Sequence, residues 1–260
     1  MCIRDSIKAE EKWKEKHPHI AEQMDKMNLR LTNKQINIIE KANPFLIVST
    51  IVAFTFGLYF SLLQSPPDYI QGDSMRIMYI HVPSAWFALM AYTILAGSSV
   101  LWFITRNPIF SIIARSIAQI GMIFTLISLV TGSIWGKPTW GVWWVWDARL
   151  TSMLLLFFLY LAYIFLWQSI TNKDLASKIS AALAIVGFVN IPIIKFSVDW
   201  WNTLHQPASI NILSKSSIHI SMLFPLITMT AAFALFSLLI FLMKYNTELI
   251  KIKNKGLDRL

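Results

Sequence analysis

Two histidines and one dense group of tryptophans are the residues of this 260-residue chain best suited to chemistry. His81 stands in Tyr79-Ile-His-Val-Pro83-Ser-Ala-Trp86, and His205 in Asp199-Trp200-Trp201-Asn-Thr-Leu-His205-Gln-Pro207. Between them runs Trp135-Gly-Lys-Pro-Thr-Trp140-Gly-Val-Trp143-Trp144-Val-Trp146-Asp147, which holds five of the eleven tryptophans. Neutral imidazole is a common ligand of metals and of haem iron. A group of indoles makes a flat apolar platform with polar edges. Platform and imidazoles together suit a flat, largely apolar ligand with some polar edge. Each feature also has a plainer reading. Tryptophans near membrane ends are usually interfacial anchors, and a lone histidine there is usually just a polar interfacial residue. The density of rings, and the presence of two histidines beside tryptophan-rich segments, favour the ligand.

The elements that must position these groups are apolar. The chain is 55% hydrophobic and 14% charged, which indicates a polytopic membrane protein rather than a soluble domain. Six apolar segments follow one another: 45–63, 77–104, 112–134, 150–170, 179–198 and 218–243. Each is long enough to cross a ~30 Å hydrocarbon core as a helix. Helices are required because an open strand edge cannot face lipid. The expected fold is therefore all-α, with six transmembrane helices and one tryptophan-rich interfacial segment. The expected domains are an N-terminal extension over 1–43, a membrane domain over 44–243 with a ligand-handling loop at 135–149, and a tail over 244–260. Residues 8–26 read as a solvated or frayed helix. Met27 offers an alternative start, so residues 1–26 need not be native. No early apolar run marks a cleavable signal peptide.

Lys and Arg set the expected orientation. With the N-terminus inside, 18 of the 23 basic residues fall on inside segments. Both termini are then cytoplasmic, and the tryptophan segment, His81 and His205 face out. The net charge of +9 lies mostly in the two tails and is a topology signal, not a nucleic-acid surface. The single cysteine, Cys2, excludes an internal disulfide or thiolate metal site. His17 and His19 lie in the polar N-terminal segment and read as a solvated pair.

Within the site, Trp140, Trp143, Trp144 and Asp147 fall at i, i+3, i+4 and i+7, so they share one face if the stretch is helical. Trp201 and His205 are one turn apart under the same condition. Pro83 belongs in a first helical turn, which puts His81 at the outer mouth of the second segment. Arg76, Lys137 and Arg149 sit at outer helix ends. Snorkelling accounts for such positions, and so would pairing with ligand carboxylates. Asp147 needs a partner and could orient a ligand. His219 is a weaker candidate with a structural role favoured. Asn190, Pro192 and Lys195 break the fifth segment, where Pro192 should kink the helix.

The stretch from Trp140 to Ser152, Trp-Gly-Val-Trp-Trp-Val-Trp-Asp-Ala-Arg-Leu-Thr-Ser, strongly resembles the tryptophan-rich (WWD) signature of haem-handling membrane proteins of cytochrome c maturation. The specific resemblance is to the CcmC family, haem exporter protein C. The residues around Trp135, His81 and His205 look the same, and the likeness covers about residues 40–245. The resemblance implies six helices with a haem site on the outer, periplasmic face of the bacterial inner membrane. It implies His81 and His205 as axial ligands, and Trp135, Trp140, Trp143, Trp144, Trp146 and Asp147 as the haem-contacting region. Arg76, Lys137 and Arg149 would hold propionates. It further implies a scaffold rather than an enzyme, with haem b as transported ligand. The implied partners are the haem chaperone CcmE, the small protein CcmD, and the ABC transporter subunits CcmA and CcmB.

Two other classes compete. A cytochrome b-type electron carrier would hold its histidines inside the bundle. A secondary transporter would place polar groups at the midplane, where only Pro192 and Lys195 hint at one. The charge pattern predicts that a reporter fused after Trp140 reads outside and one fused after Lys173 reads inside. The reverse pair, measured by enzymatic fusions in cells, overturns the orientation.

Overall fold

Long apolar runs with few interior breakers leave the backbone no partner but itself in lipid, and the chain forms helices almost throughout. The computed structural model describes residues 18–205 and 218–257, with side chains from 32–205 and 218–251. Helix α1 is Pro18–Tyr59 and continues into a π turn, Phe60–Gln64. A 3₁₀ turn, Asp73–Ile77, leads into α2, Met78–Thr105. Then come α3 (Pro108–Trp140), α4 (Ala148–Ser169), α5 (Lys173–Gly187), α6 (Asn190–Trp200) and α7 (Ile220–Leu257). Among the described residues there is no strand, and six helical spans are long and apolar enough to cross a membrane. This is the expected all-α polytopic class.

The chain divides into two compact units. One comprises residues 1–45 and 242–260. In it Ile36 and Ile39 of α1 and Tyr245 and Leu249 of α7 are buried, at the three- and four-residue spacings of one helical face. The other unit, Leu46–Phe241, holds the helix bundle and every candidate site residue. The reading of His17, and of residues 8–17 of the expected frayed helix, lies outside the described residues.

Within the bundle, α2 and α3 pack most extensively. The turn between them is set by Arg106 in the left-handed region (φ 57°), followed by Asn107, whose side chain accepts from the Ile109 N–H. Pro108 then starts α3 where its missing N–H is harmless. Helix α4 packs on α3, α5 and α6. Tyr79, Tyr92, Leu95, Phe124, Leu156 and Tyr160 are almost completely buried. The Tyr160 hydroxyl donates to the Ala88 carbonyl at 2.8 Å, and Ser99 and Thr125 return their hydroxyls to carbonyls one turn back. These three buried hydroxyls are satisfied by backbone, while those of Thr50, Ser61, Tyr92, Ser116 and Ser180 have no hydrogen-bond partner among the described residues. Val48, Ile51, Ile104 and Phe165 stay exposed in the bundle, as lipid-facing side chains should.

Four expectations need correction. The fifth apolar segment is two helices, broken at Phe188 and Val189, and Pro192 sits in the first turn of α6 rather than at a mid-helix kink. Pro83 lies in the second turn of α2, because the helix starts at Met78 after its own 3₁₀ turn. The tryptophan stretch is not one helical face: α3 ends at Trp140, and Gly141 adopts φ 78°, a left-handed cap that only glycine takes without strain. Residues 141–146 are therefore non-helical. For the same reason Trp201 and His205 are not one turn apart on a helix, since α6 ends at Trp200.

Candidate functional site

The site is built at the end of the bundle where α3 meets α4. On α2, Met78, His81, Val82, Ala85 and Leu89 fall at helical spacing and line one wall of a cavity of about 320 Å³. On α3, Ser128, Gly132, Trp135, Gly136, Thr139 and Trp140 repeat every three to four residues and form the facing wall. Trp144, Arg149, Lys195 and His205 close it from the connections and from α4 and α6. The volume is at the small end of the ~300–1,000 Å³ usual for ligand pockets.

Both histidines predicted from sequence face this one cavity, although 124 positions separate them in the chain. His81 is held by Thr131: its Nδ1 lies 3.1 Å from the Thr131 hydroxyl. Its ring also passes over Gly132, where a Cβ would come within 2.9 Å of Cε1. Only glycine lets the imidazole approach α3 this closely. The ring meets the Trp135 indole edge to face at 5.8 Å. Trp135 is itself fixed by donating its N–H to Gln71 at 2.8 Å.

His205 is placed by the start of α4. Asp147 is the N-cap residue of that helix, and one carboxylate oxygen accepts from Leu150 N–H at 2.8 Å. The other oxygen stands 3.5 Å from His205 Nδ1. Both atoms are buried and neither forms a hydrogen bond among the described residues, so this 3.5 Å contact is the polar pairing open to each. The Asp147 side chain is only 6% exposed. The His205 ring packs on Trp140 at 4.9 Å. Burial holds the His205 imidazole below the ordinary histidine pKa; the Arg149 guanidinium acts in the same sense and the Asp147 carboxylate opposes it. The ring is therefore neutral at neutral pH, with a lone pair to give.

The remaining predicted residues separate into two groups. Trp135, Trp140, Trp144 and Arg149 line the cavity with the histidines. The Trp144 indole N–H is buried with no partner among the described residues, leaving a donor at the cavity wall. Arg149 spends Nε on the Ser197 hydroxyl at 3.0 Å and one Nη on the Lys195 carbonyl at 3.4 Å. Its fork retains further N–H groups. Trp143 and Trp146 do not line the cavity and are 56% and 75% exposed. Arg76 is taken up by the connection before α2, paired with Asp73 at 3.1 Å and bonded to the Leu62 and Ser65 carbonyls. Lys137 caps its own helix by donating to the Gly141 carbonyl at 2.9 Å. His219 accepts from Ser221 at the start of α7 and does not reach the cavity. Gln71, Thr131, Gly132 and Ser197 were missed. For Thr131 and Gly132 the only signal was a Thr-Gly-Ser step inside an apolar helix.

Fold and site together define a multi-pass helical membrane protein with an apolar cavity at one end of its bundle, faced by two imidazoles. The chain belongs to the family described as Heme exporter protein C, whose model matches residues 27–258. It is 42% identical over 215 residues to Heme exporter protein C of Bradyrhizobium diazoefficiens, covering 83% of this chain and 81% of that one. It is 41% identical over 239 residues to the protein of the same name in Haemophilus influenzae, covering 92% and 93%. A ccmC-like mitochondrial protein of cytochrome c biosynthesis in Marchantia polymorpha is 48% identical over 177 residues, 68% of this chain and 75% of that one.

The double role of Asp147 makes a stability prediction. Asp147→Ala removes a helix cap, worth about 1 kcal/mol, and leaves the His205 Nδ1 buried without an acceptor, at about 1–3 kcal/mol. Asp147→Asn keeps the capping oxygen. Thermal unfolding in detergent should therefore show a clear loss for the alanine variant and a small one for asparagine. Equal losses would remove the cap from the account.

Proposed function

We propose that this chain binds haem in the cavity between α2, α3 and α4 and hands it to the haem chaperone CcmE during cytochrome c maturation. The observation that carries the reading is the convergence of two imidazoles on one apolar cavity, His81 with Nδ1 3.1 Å from the Thr131 hydroxyl and His205 with Nδ1 3.5 Å from the Asp147 carboxylate. Among the described residues no group of three or more His, Cys, Asp or Glu side chains could hold a bare metal ion. Iron inside a porphyrin needs only two axial ligands, which is the donor set present here. Trp135, Trp140 and Trp144 supply apolar contact, while Arg149 and the unpaired Trp144 N–H suit propionates.

On this reading His81 and His205 ligate iron from opposite faces. The protein acts as a scaffold, with haem b as cargo rather than resident cofactor. Trp143 and Trp146 are exposed and do not line the cavity, which leaves their rings free to meet a partner. On the same reading both termini are cytoplasmic and the site faces the periplasm from the bacterial inner membrane, which the excess of Lys and Arg on the segments assigned inside supports. CcmD and the ABC subunits CcmA and CcmB complete the proposed assembly, in keeping with membership of the exporter family.

Haem content and visible spectra of the purified protein, loaded beside its chaperone, test this. His81→Ala and His205→Ala should each retain some haem with an altered spectrum, restored by added imidazole, and should fail to load the chaperone. Trp144→Ala should hold roughly 5- to 150-fold less haem, from about 1–3 kcal/mol of lost contact, and imidazole should not rescue it. Gly132→Ala pushes the His81 ring off its seat and should behave as a weakened His81 variant. Wild-type protein without any haem band, while the chaperone is loaded, overturns the reading.

A further inference from the structure

The two imidazoles are held by different acceptors, and the difference is chemical. The Thr131 hydroxyl has one proton. That proton is committed to the Ile127 carbonyl at 2.6 Å, one turn back on α3. At 3.1 Å the hydroxyl can therefore only accept from His81, which puts the ring proton on Nδ1 and leaves Nε2 with the lone pair. His205 faces a carboxylate instead, at 3.5 Å. A carboxylate draws on the Nδ1 proton far more strongly than a neutral hydroxyl does, and so makes the opposite nitrogen the better donor.

We propose that Thr131 is a positioning residue that fixes the ligating tautomer of His81, and that the two axial ligands are unequal, with Asp147-backed His205 the firm one and Thr131-backed His81 the exchangeable one. The inference rests on the haem reading above and adds to it a direction for release. When haem is transferred, the iron bond that yields first is the one to His81. The seat of the ring supports this. His81 is kept in place by neutral groups, the Thr131 hydroxyl and the Ser128 backbone, by the edge of Trp135 and by the gap over Gly132. His205 is held by a carboxylate that is itself locked to a helix start.

The experiment compares haem-loaded wild type with Thr131→Val, Thr131→Ala and Thr131→Ser. Valine keeps the volume and removes the acceptor; alanine removes the acceptor with no new branch; serine keeps the hydroxyl. Valine and alanine should lower haem affinity about tenfold, the usual scale for loss of a group that orients a ligand. Both should gain a high-spin component that added imidazole converts back, and both should shift the iron midpoint potential upward, because a weaker donor stabilises the ferric state less. Serine should keep the wild-type spectrum and potential. Wild-type behaviour in valine and alanine, or damage in serine equal to theirs, overturns the assignment. An Asp147→Asn variant that disturbs the spectrum less than Thr131→Val would overturn the ranking of the two ligands. Wild type that binds no haem would instead sink the functional reading, and is recognised separately because no variant is needed to see it.

Discussion

One carboxylate governs the arrangement of this site. Asp147 has two oxygens and uses them in two directions, one toward the first turn of α4 and one toward His205. Because the cap is part of a helix start, the second oxygen is held as rigidly as the helix. The histidine it faces lies in an irregular connection after α6, where backbone alone would fix little. The charge is buried, so leaving either partner unpaired is costly. The pairing therefore ties a loop histidine to the frame of the bundle.

The rest of the site depends on where α3 stops. Gly141 ends that helix in a left-handed conformation, and the chain then has six residues, 141–146, to reach the Asp147 cap. Those residues turn Trp144 into the cavity and leave Trp143 and Trp146 outside it. Upstream of the stop, α3 keeps helical order long enough to present Thr131, Gly132, Trp135 and Trp140 on one side. The His81 ring fits there because Gly132 has no side chain.

The cations show how one residue type divides into two duties. Arg76 and Lys137 satisfy orphan carbonyls at the turns before α2 and after α3. Arg149 lies on the cavity wall, steadied by Ser197 and the Lys195 carbonyl of α6. From sequence all three looked alike, since each is a basic residue at a helix end. Only the position of neighbouring carbonyls distinguishes a helix-end cap from a group on the cavity wall.

The sequence by itself determined the six spans, because an apolar run of helix-spanning length has one stable answer in lipid. It also marked His81, His205, the tryptophan segment and Asp147, because such residues are scarce among apolar ones and stand out by type. It did not determine the break at Phe188 and Val189, the end of α3 at Gly141, or the second-turn position of Pro83. Those follow from local competition between caps and propagation, which periodicity does not record. Nor could it show that His81 rests on Thr131 and Gly132, 50 and 51 positions away. A hydroxyl and a missing Cβ acquire meaning only when two helices are packed, since it is their close approach that turns an ordinary Thr-Gly step into the seat of an imidazole.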